Sequence, residues 1–188
     1  MLRLTRPIGA TCAIWLLVLT GLLHSGMAWS TVTPEYQLKA VFLFNFTQFV
    51  EWPPRAFADA NSPLVIGVLG SDPFGAYLDE TVRGETVNGR PLTVQRYRSL
   101  DDVKNCHVLF ISRSEAPHLP QILAGLKGKS ILTVSDADNF NRDGGIIRLA
   151  TIANKIRLRI TLDAAKAADL TISSKLLRPA DIVAAGSD

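Results

Sequence analysis

Three short, uninterrupted apolar runs limit the folds open to this chain more than any other feature: residues 64–70 (LVIGVLG), 107–112 (HVLFIS) and 131–135 (ILTVS). None shows the apolar–polar alternation of a strand with one wet face, and each is shorter than an ordinary helix. Runs of this length and purity fit strands buried on both faces, the kind found in parallel sheets. Helix signals follow the first two. Asp72-Pro73 reads as an N-cap and first-turn proline opening a helix to about Val82, and residues 117–126 read as a helix ending at Gly128. Strands alternating with helices imply a mostly parallel sheet with helices on both faces.

The flanking segments extend that pattern. Residues 35–52 are apolar on most sides, with a helical stripe at positions 38, 41, 42, 46, 49 and 50, and Pro53-Pro54 stops the helix. Residues 92–97 alternate as a strand, and Ser99 caps a short helix through Val103. Residues 144–149 and 156–160 both alternate around a turn near Asn154-Lys155, which predicts an antiparallel hairpin at the sheet edge. A helix over 162–168 follows, then a last one capped by Ser173 or Ser174 and running through Leu177. The expected fold is α/β: a single domain over residues 35–183, with a mostly parallel sheet, helices on both faces and an antiparallel C-terminal hairpin at the edge.

The first thirty residues follow a different rule. Arg3 and Arg6 precede an uncharged apolar stretch over residues 8–23, and no acidic residue occurs before Glu35. Gly26 and Ala28 then stand in small-x-small spacing. This is the layout of a secretory signal peptide, here residues 1–28, with a cut after Ser30 as the alternative. A membrane anchor would need about 20 apolar residues, more than this run supplies. No cysteine stands just after the cleavage zone to suggest a lipoprotein. Removing the leader lowers the formal net charge from +3 to +1, so no polyanionic partner is implied, and no basic run interleaved with aromatics suggests nucleic acid. Cys12 leaves with the leader. Cys106 is then alone in an apolar run, as a buried small hydrophobe would be.

Motifs that carry chemistry fail on their spacing. Gly67, Gly70 and Gly75 fit neither GxGxxG nor GxxxxGK[ST]. Residues 136–143 resemble a calcium loop until Phe140 and Asn141 occupy its fifth and sixth positions, and Ile147 stands where it needs Glu. His107 and His118 lack zinc-ligand spacing, and no GxSxG elbow is present. Neither a catalytic set, a metal site nor a cofactor is therefore expected. One constellation remains. The carboxyl ends of neighbouring parallel strands form the usual ligand crevice. Those ends supply Ser71-Asp72, Arg96, Ser112-Arg113-Ser114 and Ser135-Asp136. Ser71, Asp72, Ser112 and Arg113 are the candidate contacts for an anionic ligand or a partner loop. The same residues also fit the bland role of caps and solvated turns. Phe57 and Leu176-Leu177 are further candidates for apolar partner contact.

Three ordered segments resemble the YfiR family of periplasmic proteins: residues 35–53, with FVEWP at 49–53; residues 66–75; and residues 154–165 followed by 172–178 (ISSKLLR). The resemblance implies a compact α/β, non-catalytic regulator that restrains an inner-membrane diguanylate cyclase of the GGDEF type by engaging its periplasmic domain. An outer-membrane lipoprotein would relieve the restraint, and association of two copies is left open. The best-known member relies on paired cysteines, whereas the mature chain here carries only Cys106. A small-solute-binding protein for transport or sensing is the alternative that the polar strand-end edge supports.

Overall fold

The computed structural model of the protein describes residues 32–184 and Gly186. The expected leader lies outside the described residues. Helix α1 (Pro34–Phe49) starts at Thr33 as N-cap with proline in its first turn. Strands β1 (Val50–Glu51) and β2 (Leu64–Leu69) come next, then α2 (Ala76–Val82), β3 (Thr86–Val87), β4 (Arg90–Tyr97) and β5 (Val108–Ile111). Helix α3 (Leu119–Gly125) and β6 (Leu132–Ser135) lead to β7 (Ile147–Ile152) and β8 (Lys155–Thr161). The chain ends through α4 (Leu162–Ala167), β9 (Thr171–Ile172), α5 (Ser174–Leu177) and β10 (Asp181–Val183).

Eight strands form one sheet in the order β10-β8-β7-β6-β5-β2-β4-β3. The three apolar runs of the sequence are its centre, with β4, β2, β5 and β6 all parallel. Strand pleating splits their side chains between two cores. Ile66, Val68, Val108, Phe110, Leu132 and Val134 face α1 and α2, where they meet Leu43, Phe46, Phe74 and Leu78. Leu69, Leu109 and Ile111 face the other way, onto Leu119, Ile122, Leu123 and Leu126 of α3 and its flank, and onto Phe140. Gly67 lies on this second face because a Cβ there would sit 2.8 Å from the Cys106 Sγ and against the Tyr97 ring.

The hairpin is β7 with β8, antiparallel through six residue pairs. Its turn places Ala153 and Asn154 at φ 48° and 59°, the left-handed pair that matches the twist of the flanking strands. Beyond it, β10 joins the outer side of β8 in parallel. The ribbon of β1 with β9 ties the end of α1 to the chain after α4.

Two local expectations are corrected. The buried line of α1 runs through Lys39, Ala40, Leu43, Phe46 and Thr47, and Leu38 is 48% exposed. A helix apolar on nearly every side carries too little amphipathicity for its period to orient it. Asp72 does not cap α2 directly: its carboxylate accepts from the Phe74 N–H in a local turn, and the helix begins only after Gly75, at φ 51°. Among the described residues, no helix is long and apolar enough to cross a membrane.

Candidate functional site

Register brings the candidate residues together. Leu69 stands opposite both Tyr97 and Ile111, and Ile111 opposite Ser135, so four parallel strands end level. The chain then leaves each strand through polar residues along one edge. The tight exit from β2 needs Gly70, which has φ 88° and no room for a Cβ beside Ser114 and Glu115. Ser71 is exposed, and its N–H donates to Ser114 Oγ at 3.0 Å. Ser112 is buried; its hydroxyl accepts from the Ser114 N–H at 3.4 Å and caps the 3-10 turn Arg113–His118. Arg113 projects outward with its side chain 56% exposed.

Arg96 is consumed internally. Its guanidinium donates to Asp72 at 2.9 Å, to Asp79 at 2.8 Å and to the Gly75 carbonyl at 2.8 Å. The Arg96 hydrogen bonds hold the Asp79 carboxyl below its usual range. Asp72 therefore faces a fixed cation on one side and the Phe74 N–H on the other. This half of the edge is a rigid rim, while Arg113 keeps much of its guanidinium in solvent.

The other half is anchored by a charge cluster in which Asp136 and Arg113, both among the expected strand-end residues, are joined by Lys39, Glu35 and Tyr36 of α1. Asp136 follows β6, and its carboxylate is wholly buried. Oδ2 accepts from Lys39 Nζ at 2.6 Å and from the Tyr36 hydroxyl at 2.9 Å. Arg113 donates to the Asp136 carbonyl at 3.1 Å and places Nε 3.4 Å from Oδ1. Lys39, also wholly buried, reaches Glu35 at 2.5 Å, and Glu35 accepts from Thr151 of β7 at 2.7 Å. Two cations thus face two carboxylates. Burial, then Asp136, raises the Tyr36 hydroxyl and keeps it protonated, while Lys39 and Thr151 lower Glu35. A buried charge persists only when paired and hydrogen-bonded, so this cluster fixes α1, β6 and β7 relative to one another. The signal was legible: one lysine in an apolar helix, with Glu35 four residues before it.

The remaining candidates fall into the core. Phe57 stacks on His107 with ring centroids 4.4 Å apart and lies under the Arg90 guanidinium; Leu176 is buried and Leu177 packs beside it. Among the described residues, no group of His, Cys, Asp and Glu side chains could hold a metal ion. The arrangement is a preformed, polar rim in which Arg113 is the more exposed of two arginines.

A family model described as DUF4154, YfiR/HmsC-like, matches residues 36–181. No curated protein matches the chain.

Proposed function

The chain belongs to the YfiR/HmsC-like family, and from that premise we propose that it is a periplasmic, non-catalytic regulator that represses an inner-membrane signalling protein, a diguanylate cyclase, by binding its periplasmic domain. The observation that carries this reading is the family match, which runs from the first turn of α1 to the start of β10. The strand-end edge is the surface we assign to the contact: Ser71, Asp72 and Arg113 meet the partner, and Ser112 positions them from beneath. Rigidity suits the task. A repressor works only if it binds the off-state of its partner more tightly than the on-state, and a preformed rim discriminates between two shapes with little ordering cost. Relief by an outer-membrane lipoprotein, and pairing of two copies, belong to the same reading.

In-cell crosslinking of the tagged chain, followed by mass spectrometry, tests it. Recovery of an inner-membrane protein with a periplasmic sensory domain is expected, together with a rise in cyclic di-GMP when the gene is deleted. Recovery of nothing beyond the chain itself from a verified periplasmic fraction, with unchanged cyclic di-GMP, overturns it. The variant Ser71→Arg, on an exposed side chain, should weaken the crosslink while leaving the melting temperature unchanged.

A further inference from the structure

A second concave surface lies away from the strand-end rim, between the C-terminal end of α3, the turn into β6 and helix α4. It is a cleft of about 550 Å³, inside the range of about 300–1,000 Å³ that small-molecule sites occupy. Leu123, Ile131 and Ile146 give it apolar walls. Thr133 and Thr161 also line it, and both are buried. Each hydroxyl is held as an acceptor: Thr133 takes the Ile146 N–H at 3.1 Å, and Thr161 takes an Asn141 N–H at 3.1 Å. The Thr161 N–H binds the Ile146 carbonyl at 2.9 Å, so the two threonines flank one residue. Thr161 is 0% exposed and sits behind the wall, whereas Thr133 keeps 5% of its surface and its hydroxyl donates no hydrogen bond among the described residues, which leaves one O–H donor at the cleft wall.

The charges at the rim are uneven. Lys127 and Lys129, in the turn after α3, have no ion-pair partner among the described residues. The two acidic residues of the rim do face cations: Asp143 stands 3.8 Å from Arg142, and Asp163 4.0 Å from Lys166. We infer that this cleft binds an elongated apolar molecule with an anionic group at one end and a hydrogen-bond acceptor at the other. The anion meets Lys127 and Lys129, the acceptor meets the Thr133 hydroxyl, and the apolar body lies along Leu123, Ile131 and Ile146. The inference stands apart from the regulatory reading, since it uses none of the strand-end residues.

Titration calorimetry of the protein purified from cells expressing the full chain, with 9-oxodecanoate and decanoate as probes, tests it. One-site saturation is expected, with the oxo acid tighter by up to about tenfold for the added hydrogen bond. The Thr133 and Thr161 methyl resonances should shift on saturation. The paired substitution Lys127→Gln and Lys129→Gln should weaken binding about fivefold at low salt. Ala124→Trp fills the cleft from an exposed position on α3 and should abolish binding at an unchanged melting temperature. Absence of saturable heat with either probe overturns the inference, as does undiminished binding to Ala124→Trp. Equal affinity for the two probes overturns the role given to the Thr133 hydroxyl.

Discussion

Three buried residues set how this protein responds to mutation and to acid. Lys39 and Asp136 lie wholly out of solvent at 2.6 Å from one another. Removing one partner strands the other's charge, which costs far more than removing both. Lys39→Met should therefore destabilise the fold by about 3–5 kcal/mol, and adding Asp136→Leu should recover part of the loss. Urea unfolding of the three proteins checks this; a Lys39→Met midpoint equal to wild type would remove the cluster's anchoring role. His107 supplies the acid response. Burial lowers its pKa from 6.5 to about 4, and its neutral ring accepts the Val65 N–H at 3.1 Å while its other nitrogen faces the Ala56 carbonyl. The unfolded chain takes up this proton near pH 6.5 and the folded one only near 4. Its contribution is thus complete above pH 6.5 and is lost as pH falls through about 4, to a limit of about 3 kcal/mol. A histidine resonance titrating near 4 confirms the assignment; one titrating at 6.5 refutes it.

At the scale of elements, legibility followed the strength of the local signal. The runs that became β2, β5 and β6 were unmistakable because burial on both faces leaves β2 and β5 without a polar side chain and β6 with only Thr133 and Ser135, both hydrogen-bonded. The β7–β8 hairpin was legible because each strand alternates and Asn154 suits its turn. The direction in which α1 faces was not, because its apolar residues surround it. The exit from β2 shows what geometry adds: Gly70 combines a positive φ with a Cβ path blocked by Ser114 and Glu115, whereas Gly84 has a positive φ and open space. Gly84→Ala should cost about 1 kcal/mol, and Gly70→Ala about 2–3 kcal/mol, since backbone strain and a clash act together. Thermal unfolding of the two variants checks the difference. Equal losses would mean that the loop after β5 yields freely to a Cβ at Gly70.

For the whole molecule, the one thiol among the described residues reports cooperativity. Burial pushes Cys106 up to about 12, and its Sγ lies 3.2 Å from the Val108 carbonyl between β2 and the α3 face. A thiol reacts as thiolate and only where reagent can reach it. Cys106 should stay inert to a disulfide reagent in the native state, and its modification in urea should track unfolding measured by circular dichroism. Fast labelling without unfolding would show that the α3 face opens by itself. Among the described residues, the chain thus offers no resting thiol for redox control.

Composition and pattern by themselves determined the α/β class, the parallel centre of the sheet, the hairpin and the candidate edge, because each rests on residues close in sequence whose periodicity states what must be buried. The family resemblance was legible for the same reason, since its motifs are local and ordered. Only the tertiary structure decided what those edge residues do. Arg96 became a strut because Asp72, Asp79 and the Gly75 carbonyl converge on it from β2's exit and α2. Ser112 turned inward as a cap, and Arg113 kept its exposure. Lys39 found Asp136 nearly a hundred residues away. Pairings at such separation leave no trace in local pattern; they exist only once the strands end level and α1 lies across them.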